Sequence, residues 1–385
     1  MSDDKGRFAM IGPPSDVEHL YAILDWYRKR SKRFSSTTTL LKLLEWLPPF
    51  KSAEFDHLVS ACGRETSGFL VVCPVLSEMV SSMEGESAFR EHLLKRIYES
   101  CRMAAENGGR IAALGAFTSI AMIGREELLS TETGIAVTSG NSLTSWLTVR
   151  GIERAASSVG IELSEARVAV VGASGDIGRG VCQWLSRRVA GLTLSARRLG
   201  PLEEFATQLR REGTAVVGVT SDNGEAVSAA DIVVTVAIST VPVIRGDDVR
   251  PGTVVCDVGY PKNVGEELES REDVLAFSGG YAKLPFALDF GHEMKLPAQD
   301  ILYGCLSEAI VLSLDGRYEC FSKGRGEITQ EKMEEIGNAA LRHGLDVAPF
   351  YVGRRLVSRE AIERVAEARR VRSAWPDGGN RGLSN

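Results

Sequence analysis

The hydrophobic pattern of the chain is most regular between residues 167 and 189, where it changes from a continuous apolar run to helical spacing. Residues 168–171 are all apolar, which is typical of a buried strand, and three glycines follow them. Beyond the glycines, apolar residues recur at helical intervals. They are Val181, Cys182, Leu185 and Val189. The pattern therefore predicts a strand, a tight turn and a helix.

Further apolar runs of strand length follow, at intervals that leave room for helices between them. They are Leu192–Ala196, Ala215–Val219, Asp231–Val236, Thr253–Asp257 and Val274–Phe277. Strands that alternate with helices form parallel sheets, because the chain must cross back over the sheet between strands. We therefore predict an α/β fold in which residues 151–284 form a Rossmann-type, doubly wound parallel sheet.

The segments on either side of this sheet predict a second, discontinuous α/β unit. A strand-like run occupies residues 7–12, and helical patterns cover residues 17–27, 88–107, 143–159, 299–312 and 329–343. A chain of 385 residues exceeds the usual size of a single core. We expect residues 1–150 to begin a substrate domain and the C-terminal helices of residues 285–366 to complete its catalytic cleft. Residues 367–385 are expected to be a flexible tail.

Composition limits the classes of partner. Hydrophobic residues make up 44% of the chain and charged residues 25%, and a net charge of −6 gives no general attraction to nucleic acid. Seven scattered cysteines and a polar start indicate a reducing compartment, the cytoplasm. No apolar run is long enough to span a bilayer, so we expect at most peripheral membrane contact, and we expect no bound metal. The basic run at residues 28–33 is either a solvated loop or a docking point for an acidic carrier protein or lipid headgroups.

The turn after the first strand of the predicted sheet has the sequence Gly172-Ala-Ser-Gly175-Asp-Ile-Gly178. Glycine lets the backbone turn sharply and approach a ligand closely, and free N–H groups at the start of the next helix attract a pyrophosphate. Because this spacing is a variant of the common G-x-G-x-x-G, the inference depends on its place between strand and helix. We predict a dinucleotide site. Its residues are Gly172, Ala173, Ser174, Gly175, Asp176, Ile177 and Gly178, with Ala237 after a later strand.

Two arginines, Arg197 and Arg198, follow the second strand of the predicted sheet. The residue at this point selects the cofactor, since an acidic side chain holds the ribose 2′-hydroxyl of NAD and a guanidinium suits the 2′-phosphate of NADP. The pair therefore predicts NADPH. The alternative is a solvated arginine pair on a surface loop.

Several motifs along the chain match one known family in the same order. Before and within the sheet they are Arg7–Gly12, Ala113–Ser119, Thr138–Asn141, Val168–Gly178 and Gly259–Asn263. After the sheet they are Cys305–Ala309, Phe321–Arg325 and Ile328–Met333. Together, from near Arg7 to Leu345, these motifs resemble the cyanobacterial-type long-chain acyl-[acyl carrier protein] reductases.

The resemblance implies NADPH-dependent reduction of a fatty acyl thioester to a fatty aldehyde, with a cysteine at the position of Cys305 forming an acyl-enzyme. The implied substrate is a thioester of acyl carrier protein, or of CoA, and a downstream enzyme would consume the aldehyde. Transfer of the acyl group to an enzyme thiol fixes its carbonyl beside the nicotinamide. Without the resemblance, a cysteine in an apolar helix is more often a small buried hydrophobe.

This reaction needs donors for the oxyanion on the thioester carbonyl and a proton for the departing thiolate. The main candidates are Ser119, Asn141 and Lys262, and Thr118, Ser142 and Asp257 are further ones. Glu308, three residues after Cys305, either orients the site or is solvated.

One position departs from the pattern of the resembled family. Leu143 stands where that pattern, T-T-G-N-T-H-T, has a histidine. If the imidazole does acid or base work in the family, another group must do it here. His292 is a candidate, and the alternative is a structural histidine. The change also permits a shorter acyl chain or a CoA thioester.

Two functions of other kinds remain open on the sequence. The first is an NADP-dependent dehydrogenase of a small metabolite, which needs no thiol. The second is a non-catalytic NADP-binding sensor or scaffold, which binds the cofactor without consuming hydride.

Overall fold

Two sheets with parallel strands dominate the computed structural model, which describes residues 6–24, 44, 46–77, 87–239, 241–292, 294–324 and 326–374. The first sheet has the order β2-β3-β1-β4-β5, with β2 antiparallel to β3 and the other neighbours parallel. Its strands are β1 (Arg7–Gly12), β2 (Phe50–Val59), β3 (Glu65–Val72), β4 (Ile111–Leu114) and β5 (Ala136–Thr138). The helices of this part are α1 (Val17–Ile23), α2 (Ser87–Glu106), α3 (Phe117–Ala121), α4 (Glu126–Thr133) and α5 (Asn141–Ser158).

The second sheet has six parallel strands in the order β11-β10-β9-β6-β7-β8. They are β6 (Arg167–Val171), β7 (Gly191–Ser195), β8 (Val216–Thr220), β9 (Ile232–Thr235), β10 (Val254–Asp257) and β11 (Leu275–Ser278). The helices between them are α6 (Asp176–Leu185), α7 (Leu199–Glu212), α8 (Asn223–Ser228) and α9 (Glu266–Glu269). The strand order reverses between β6 and β9, as in a doubly wound sheet, so the predicted Rossmann-type fold is confirmed.

The remaining elements follow the second sheet in the chain. The short strands are β12 (Tyr281–Lys283), β13 (Ile301–Tyr303), β14 (Asp346–Val347), β15 (Tyr351–Val352) and β16 (Arg355–Leu356). The helices are α10 (Gly304–Leu314), α11 (Gln330–Arg342) and α12 (Arg359–Ala374). Helix α10 packs on β1, β3 and β4 and on α5, so this C-terminal segment returns to the first sheet. One continuous apolar core joins the two parts, because α5 also packs on β10 and α6.

Two predictions about the C-terminal part are wrong in detail. The helix predicted over residues 299–312 begins only at Gly304, because residues 301–303 pair as an antiparallel strand with Tyr281–Lys283. An apolar run of this length satisfies either state, and the distant partner strand decides it. The tail predicted from residue 367 is helical up to Ala374, where the side chains of Arg369 and Arg372 form ion pairs with Asp231.

Some predicted features lie outside the described residues. They include the basic run at residues 28–33 and the end of the first predicted helix beyond residue 24. Among the described residues, none of the helices combines the length and the apolar composition needed to cross a membrane.

Candidate active site

A cavity of about 790 Å³ lies where the carboxyl ends of strands from both sheets meet. From the first sheet, the lining includes Gly12, the last residue of β1, and Gly115, which follows β4. From the second sheet it includes Gly172, Ala196 and Val258, which follow β6, β7 and β10. Ligands bind at the carboxyl ends of parallel strands because the following turns direct their N–H groups there. The cavity therefore combines a nucleotide-binding edge with a surface from the first sheet.

The glycine-rich turn fits a dinucleotide at this edge. Gly172 has a φ of +90°, and a Cβ there would stand 2.8 Å from the backbone of Val236 and Ala237. A Cβ on Gly178 would stand 2.5 Å from the Gly172 carbonyl oxygen, so this glycine brings α6 close to β6. At Gly175 a Cβ would meet only that same oxygen, at 3.5 Å, and the backbone stays open to the cavity. The turn thus has the room that a pyrophosphate needs at a helix start.

Most of the predicted cofactor residues line the cavity, and two do not. The lining includes Gly172, Ser174, Gly175, Asp176, Ile177, Arg197, Arg198 and Ala237. Ala173 is fully buried in the core and Gly178 packs against the backbone of the turn, so neither residue faces the cavity. Arg197 and Arg198 come one residue after the end of β7, the point at which dinucleotide-binding sheets carry the side chain that contacts the ribose 2′-substituent.

Cys305 is the second residue of α10, and its partly exposed thiol lines the same cavity as the glycine-rich turn. Burial raises the pKa of Cys305 to about 11, and a backbone hydrogen bond from Ala116 acts in the opposite direction. Ala116 has a φ of +52°, in the left-handed region that an alanine rarely adopts. The strained turn after β4 therefore directs its backbone at the thiol.

The predicted polar residues near Cys305 divide into two groups. Ser119 and Asn141 line the cavity. Thr118 and Ser142 are fully buried and do not line it, because the Thr118 hydroxyl donates to the Gly115 carbonyl at 2.7 Å and Ser142 bonds Ser322. These two residues hold the loops and are not candidates for substrate contact.

Lys262 and Asp257 also have different positions. Lys262 lines the cavity, donates to the Asp257 carbonyl at 3.0 Å and lies 5.3 Å from the centre of the Tyr281 ring. Burial opposes its charge, but Tyr281 and Asp257 outweigh burial and raise the pKa of Lys262. The Asp257 carboxylate accepts from the backbone N–H groups of residues 259, 263 and 264. Asp257 therefore shapes the loop that carries Lys262 and does not face the cavity.

Glu308 is fully buried and is not solvated. Its carboxylate accepts hydrogen bonds from the Thr138 hydroxyl and from the backbone N–H of Leu143, the latter at 2.9 Å. Burial raises the pKa of Glu308, and hydrogen bonds from Thr138 and Ser322 oppose this rise. Glu308 thus ties the Cys305 helix to the start of α5, which the spacing of the sequence did not indicate.

The histidines that line the cavity include His19, which no motif of the sequence indicated. The Leu143 side chain lies in the core, whereas His292 lines the cavity with its ring 5.8 Å from that of His19. His19 Nδ1 accepts from the Ser15 backbone N–H at 3.1 Å, so the neutral ring carries its hydrogen on Nε2. Among the described residues this Nε2 has no hydrogen-bond partner. Burial, and then His292, lower the pKa of His19 to about 4.

Comparison with known proteins gives matches of two kinds. Residues 153–278 match the family model described as shikimate / quinate 5-dehydrogenase. Over 307 residues, 74% of this chain and 84% of the relative, the chain is 34% identical to a long-chain acyl-[acyl-carrier-protein] reductase of Synechococcus elongatus. It is also 29% identical to the aminotransferase PigE of a Serratia species, over 89% of this chain but 40% of that protein.

Solved structures are more distant. The L-tryptophan dehydrogenase of Nostoc punctiforme has 15% identity and a TM-score of 0.38, covering 96% of this chain and 89% of that one. The shikimate 5-dehydrogenase of Listeria monocytogenes has 11% identity and a TM-score of 0.34, covering 72% of this chain and 88% of that one.

Proposed function

The chain belongs to the long-chain acyl-[acyl-carrier-protein] reductases, NADPH-dependent oxidoreductases, and we propose that it forms a fatty aldehyde from an acyl thioester through an acyl-enzyme on Cys305. The observation that supports this proposal is the shared cavity. The Cys305 thiol and the glycine-rich turn at Gly172 line one continuous space of about 790 Å³. A thiol in that position can hold an acyl carbonyl beside the nicotinamide.

The acylation step exchanges one thioester for another. The Cys305 sulfur adds to the carbonyl carbon, the bond from that carbon to the carrier sulfur breaks, and the proton of Cys305 ends on the carrier thiol. Because burial raises the pKa of Cys305 to about 11, the thiol is protonated before substrate binds. The start of the eleven-residue helix α10 and the Ala116 backbone favour the thiolate as it forms.

Asn141 and Lys262 supply the polar contacts in this proposal. The Asn141 side chain lines the cavity and has no hydrogen-bond partner among the described residues, so its amide is available to the oxyanion. Ser119 is the weaker donor, since its hydroxyl donates to the Ala116 carbonyl at 2.8 Å. Lys262 keeps its charge because its pKa is raised, and it stabilises the departing carrier thiolate or donates a proton to it.

The reduction step returns Cys305 to its starting state. NADPH, when bound, supplies the hydride that converts the acyl group into the aldehyde. Gly172 and Gly175 would hold the pyrophosphate, and Arg197 and Arg198 would hold the 2′-phosphate. The bond from the acyl carbon to Cys305 then breaks, and the thiolate takes up a proton.

The acyl chain and the carrier complete the proposal. Apolar side chains of the first sheet and of the segments that follow its strands also line the cavity and suit an acyl chain. They are Ile23, Leu70, Val72, Ile120 and Ile123. We propose acyl carrier protein as the donor, with CoA as the alternative, and an aldehyde-consuming enzyme as the next partner. Residues 1–150 and 285–366 would form the acyl-binding unit, and residues 151–284 the NADPH-binding unit.

The decisive experiment separates acylation from reduction. The protein is incubated with palmitoyl carrier-protein thioester without NADPH, denatured and weighed by mass spectrometry. We expect a gain of one acyl group that maps to Cys305, and release of aldehyde when NADPH is added. The Cys305→Ala variant should gain none, whereas Cys320→Ala, which removes another partly exposed thiol, should behave as the wild type.

Two results would overturn the proposal. If Cys305→Ala still oxidises NADPH at the wild-type rate, the protein is a dehydrogenase without covalent catalysis. If the wild type binds NADPH but neither gains an acyl group nor oxidises NADPH with any acyl thioester supplied, it is a non-catalytic NADP-binding protein.

A further inference from the structure

A second cysteine, outside the cavity lining, is hydrogen-bonded to an imidazole that is in turn hydrogen-bonded to a carboxylate. Cys62 lies in the turn between β2 and β3, and its Sγ is 3.3 Å from Nδ1 of His343. The other ring nitrogen of His343, Nε2, is 2.8 Å from Oδ1 of Asp315. None of the three residues lines the active-site cavity. They come from three separate parts of the chain, and only the fold brings them together.

The direction of the hydrogen bonds suits a general base. An ionised Asp315 carboxylate accepts but does not donate, so His343 Nε2 carries the hydrogen of the neutral ring. The Nδ1 lone pair then faces the Cys62 thiol and can accept its proton. Arg342 holds the same carboxylate, with a guanidinium nitrogen 3.0 Å from Oδ2 of Asp315. A nucleophile, a base and a group that orients the base therefore follow one another in line.

The surrounding backbone holds this arrangement in place. The Ala61 N–H donates to the His343 carbonyl at 3.0 Å, which fixes the turn to the end of α11. The His343 ring is only 2% exposed, whereas the Cys62 thiol is exposed. A hydrogen bond from Ser60 is the main cause that lowers the pKa of Cys62, and the charge of Arg64 adds to it. The thiol is thus accessible to a reagent while its base is fixed.

The position of Cys62 limits the kind of electrophile. An exposed thiol on a hairpin turn offers no enclosed surface for a long acyl chain, and acyl transfer also requires donors for an oxyanion. Exchange with a disulfide requires only a thiolate, a base and open access to the sulfur.

We propose that Cys62 is a modification site at which His343 activates the thiol for exchange with small disulfides. His343 takes the Cys62 proton, the sulfur attacks one sulfur of the disulfide, and the disulfide bond breaks. The departing thiolate receives the proton from His343, so a mixed disulfide on Cys62 and one free small thiol are the products. No step uses the acyl-thioester chemistry of the cavity, and failure of either proposal leaves the other intact.

The test measures which cysteine reacts first. The reduced, full-length protein is treated with glutathione disulfide, quenched with acid at intervals and mapped by peptide mass spectrometry. We expect Cys62 to react about tenfold faster than Cys320, which is partly exposed and whose sulfur donates to the Glu126 carbonyl at 3.9 Å rather than to an imidazole. Cys62→Ser should remove the fast modification and leave aldehyde formation unchanged.

Two variants test the role of the base. His343→Asn removes the imidazole, and Asp315→Asn keeps the imidazole but removes the carboxylate that orients it. Each should slow the reaction of Cys62 about tenfold, and Asp315→Asn serves if His343→Asn does not fold. Reaction of Cys62 no faster than that of Cys320, or an unchanged rate in a folded Asp315→Asn variant, would overturn the proposal.

Discussion

Gly140 lies directly against the backbone of Cys305. A Cβ on Gly140 would stand 2.2 Å from the Cys305 carbonyl oxygen and 2.3 Å from its Cα, and Gly140 itself has a φ of +68°. No side chain fits between the turn before α5 and the first turn of α10. The location of the thiol therefore depends on the absence of a side chain 165 residues earlier in the chain.

Replacement of Gly140 by alanine should displace Cys305. We expect Gly140→Ala to lower the free energy of unfolding by more than about 2 kcal/mol and to reduce the rate of aldehyde formation severely, because backbone must move to admit the Cβ. Chemical denaturation and steady-state kinetics measure the two effects. Gly134→Ala is the matched control, since Gly134 has a φ of +73° but nothing within 4 Å of its Cβ position. That variant should lose only about 1 kcal/mol and keep its activity. Equal effects at both positions would contradict the role of the contact.

The reactivity of Cys305 in the free protein should rise with pH. Because burial raises its pKa to about 11, only the protonated thiol is populated near neutrality, and the thiolate fraction grows about tenfold per pH unit below the pKa. Alkylation by iodoacetamide, followed by mass mapping in a Cys62→Ser background, should show this slope between pH 7 and 9. A rate that is already constant above pH 7 would mean that the free protein holds a thiolate.

The arginine pair should decide between the two nicotinamide cofactors. The double variant Arg197→Ala, Arg198→Ala should raise KM for NADPH by about tenfold to a hundredfold and leave KM for NADH nearly unchanged, because only NADPH has the 2′-phosphate. Arg211→Ala is the control, because Arg211 is an exposed arginine near the C-terminal end of α7. This variant should change neither the KM for NADPH nor the KM for NADH. An equal rise in KM for NADPH and for NADH would mean that the arginines do not contact the 2′-phosphate.

The Glu308 carboxylate should be replaceable by an amide but not by a methyl group. Glu308→Gln keeps an oxygen acceptor for the Leu143 N–H and removes the charge whose burial raises the pKa of Glu308, so we expect a loss below about 1 kcal/mol. Glu308→Ala leaves the Leu143 N–H and the Thr138 hydroxyl without their acceptor and should cost about 3 kcal/mol or more. Urea denaturation at pH 7 compares the two. If the glutamine variant were as unstable as the alanine variant, the negative charge itself would be required.

His19 should make the protein sensitive to acid. Its pKa is about 4 in the folded state and 6.5 in a free imidazole, so the unfolded chain takes up the proton first as the pH falls. The stability from a neutral His19 is present above about pH 6.5 and is lost towards pH 4, by roughly 3 kcal/mol. His19→Gln should flatten this part of the curve of unfolding free energy against pH. His57→Gln changes an exposed histidine that pairs with Glu65 and should keep the wild-type slope; the same flattening there would remove His19 as the cause.

Local patterns predicted most of the nucleotide-binding half. The apolar run at Arg167–Val171 and the helical spacing after it are properties of adjacent residues, and so is the need for glycine where φ is +90° at Gly172. Each of these features is decided within one or two turns of chain, because backbone geometry and the period of burial are local. For this reason, the sequence predicted the nucleotide-binding edge of the second sheet.

The surroundings of Cys305 could not be predicted from local sequence patterns. The sequence indicated this thiol only by resemblance to a family, since a cysteine in an apolar helix has the same local pattern whether it is reactive or buried. The Cys305 backbone packs against Gly140, the Ala116 backbone hydrogen-bonds the Cys305 thiol, and the Glu308 carboxylate accepts from the Leu143 N–H. These partners come from other sheets and helices, and no spacing within one element indicates them.

The sequence by itself thus determined the strands of the nucleotide-binding sheet, the glycine-rich turn and the charge after β7. Only the tertiary structure decided that residues 301–303 pair as a strand, that His19 lies beside His292 in the cavity wall, and that Cys62 meets His343 across 281 positions of the chain. The physical reason is that packing and hydrogen bonding between distant segments depend on the whole set of contacts, whereas local conformation depends on neighbours along the backbone.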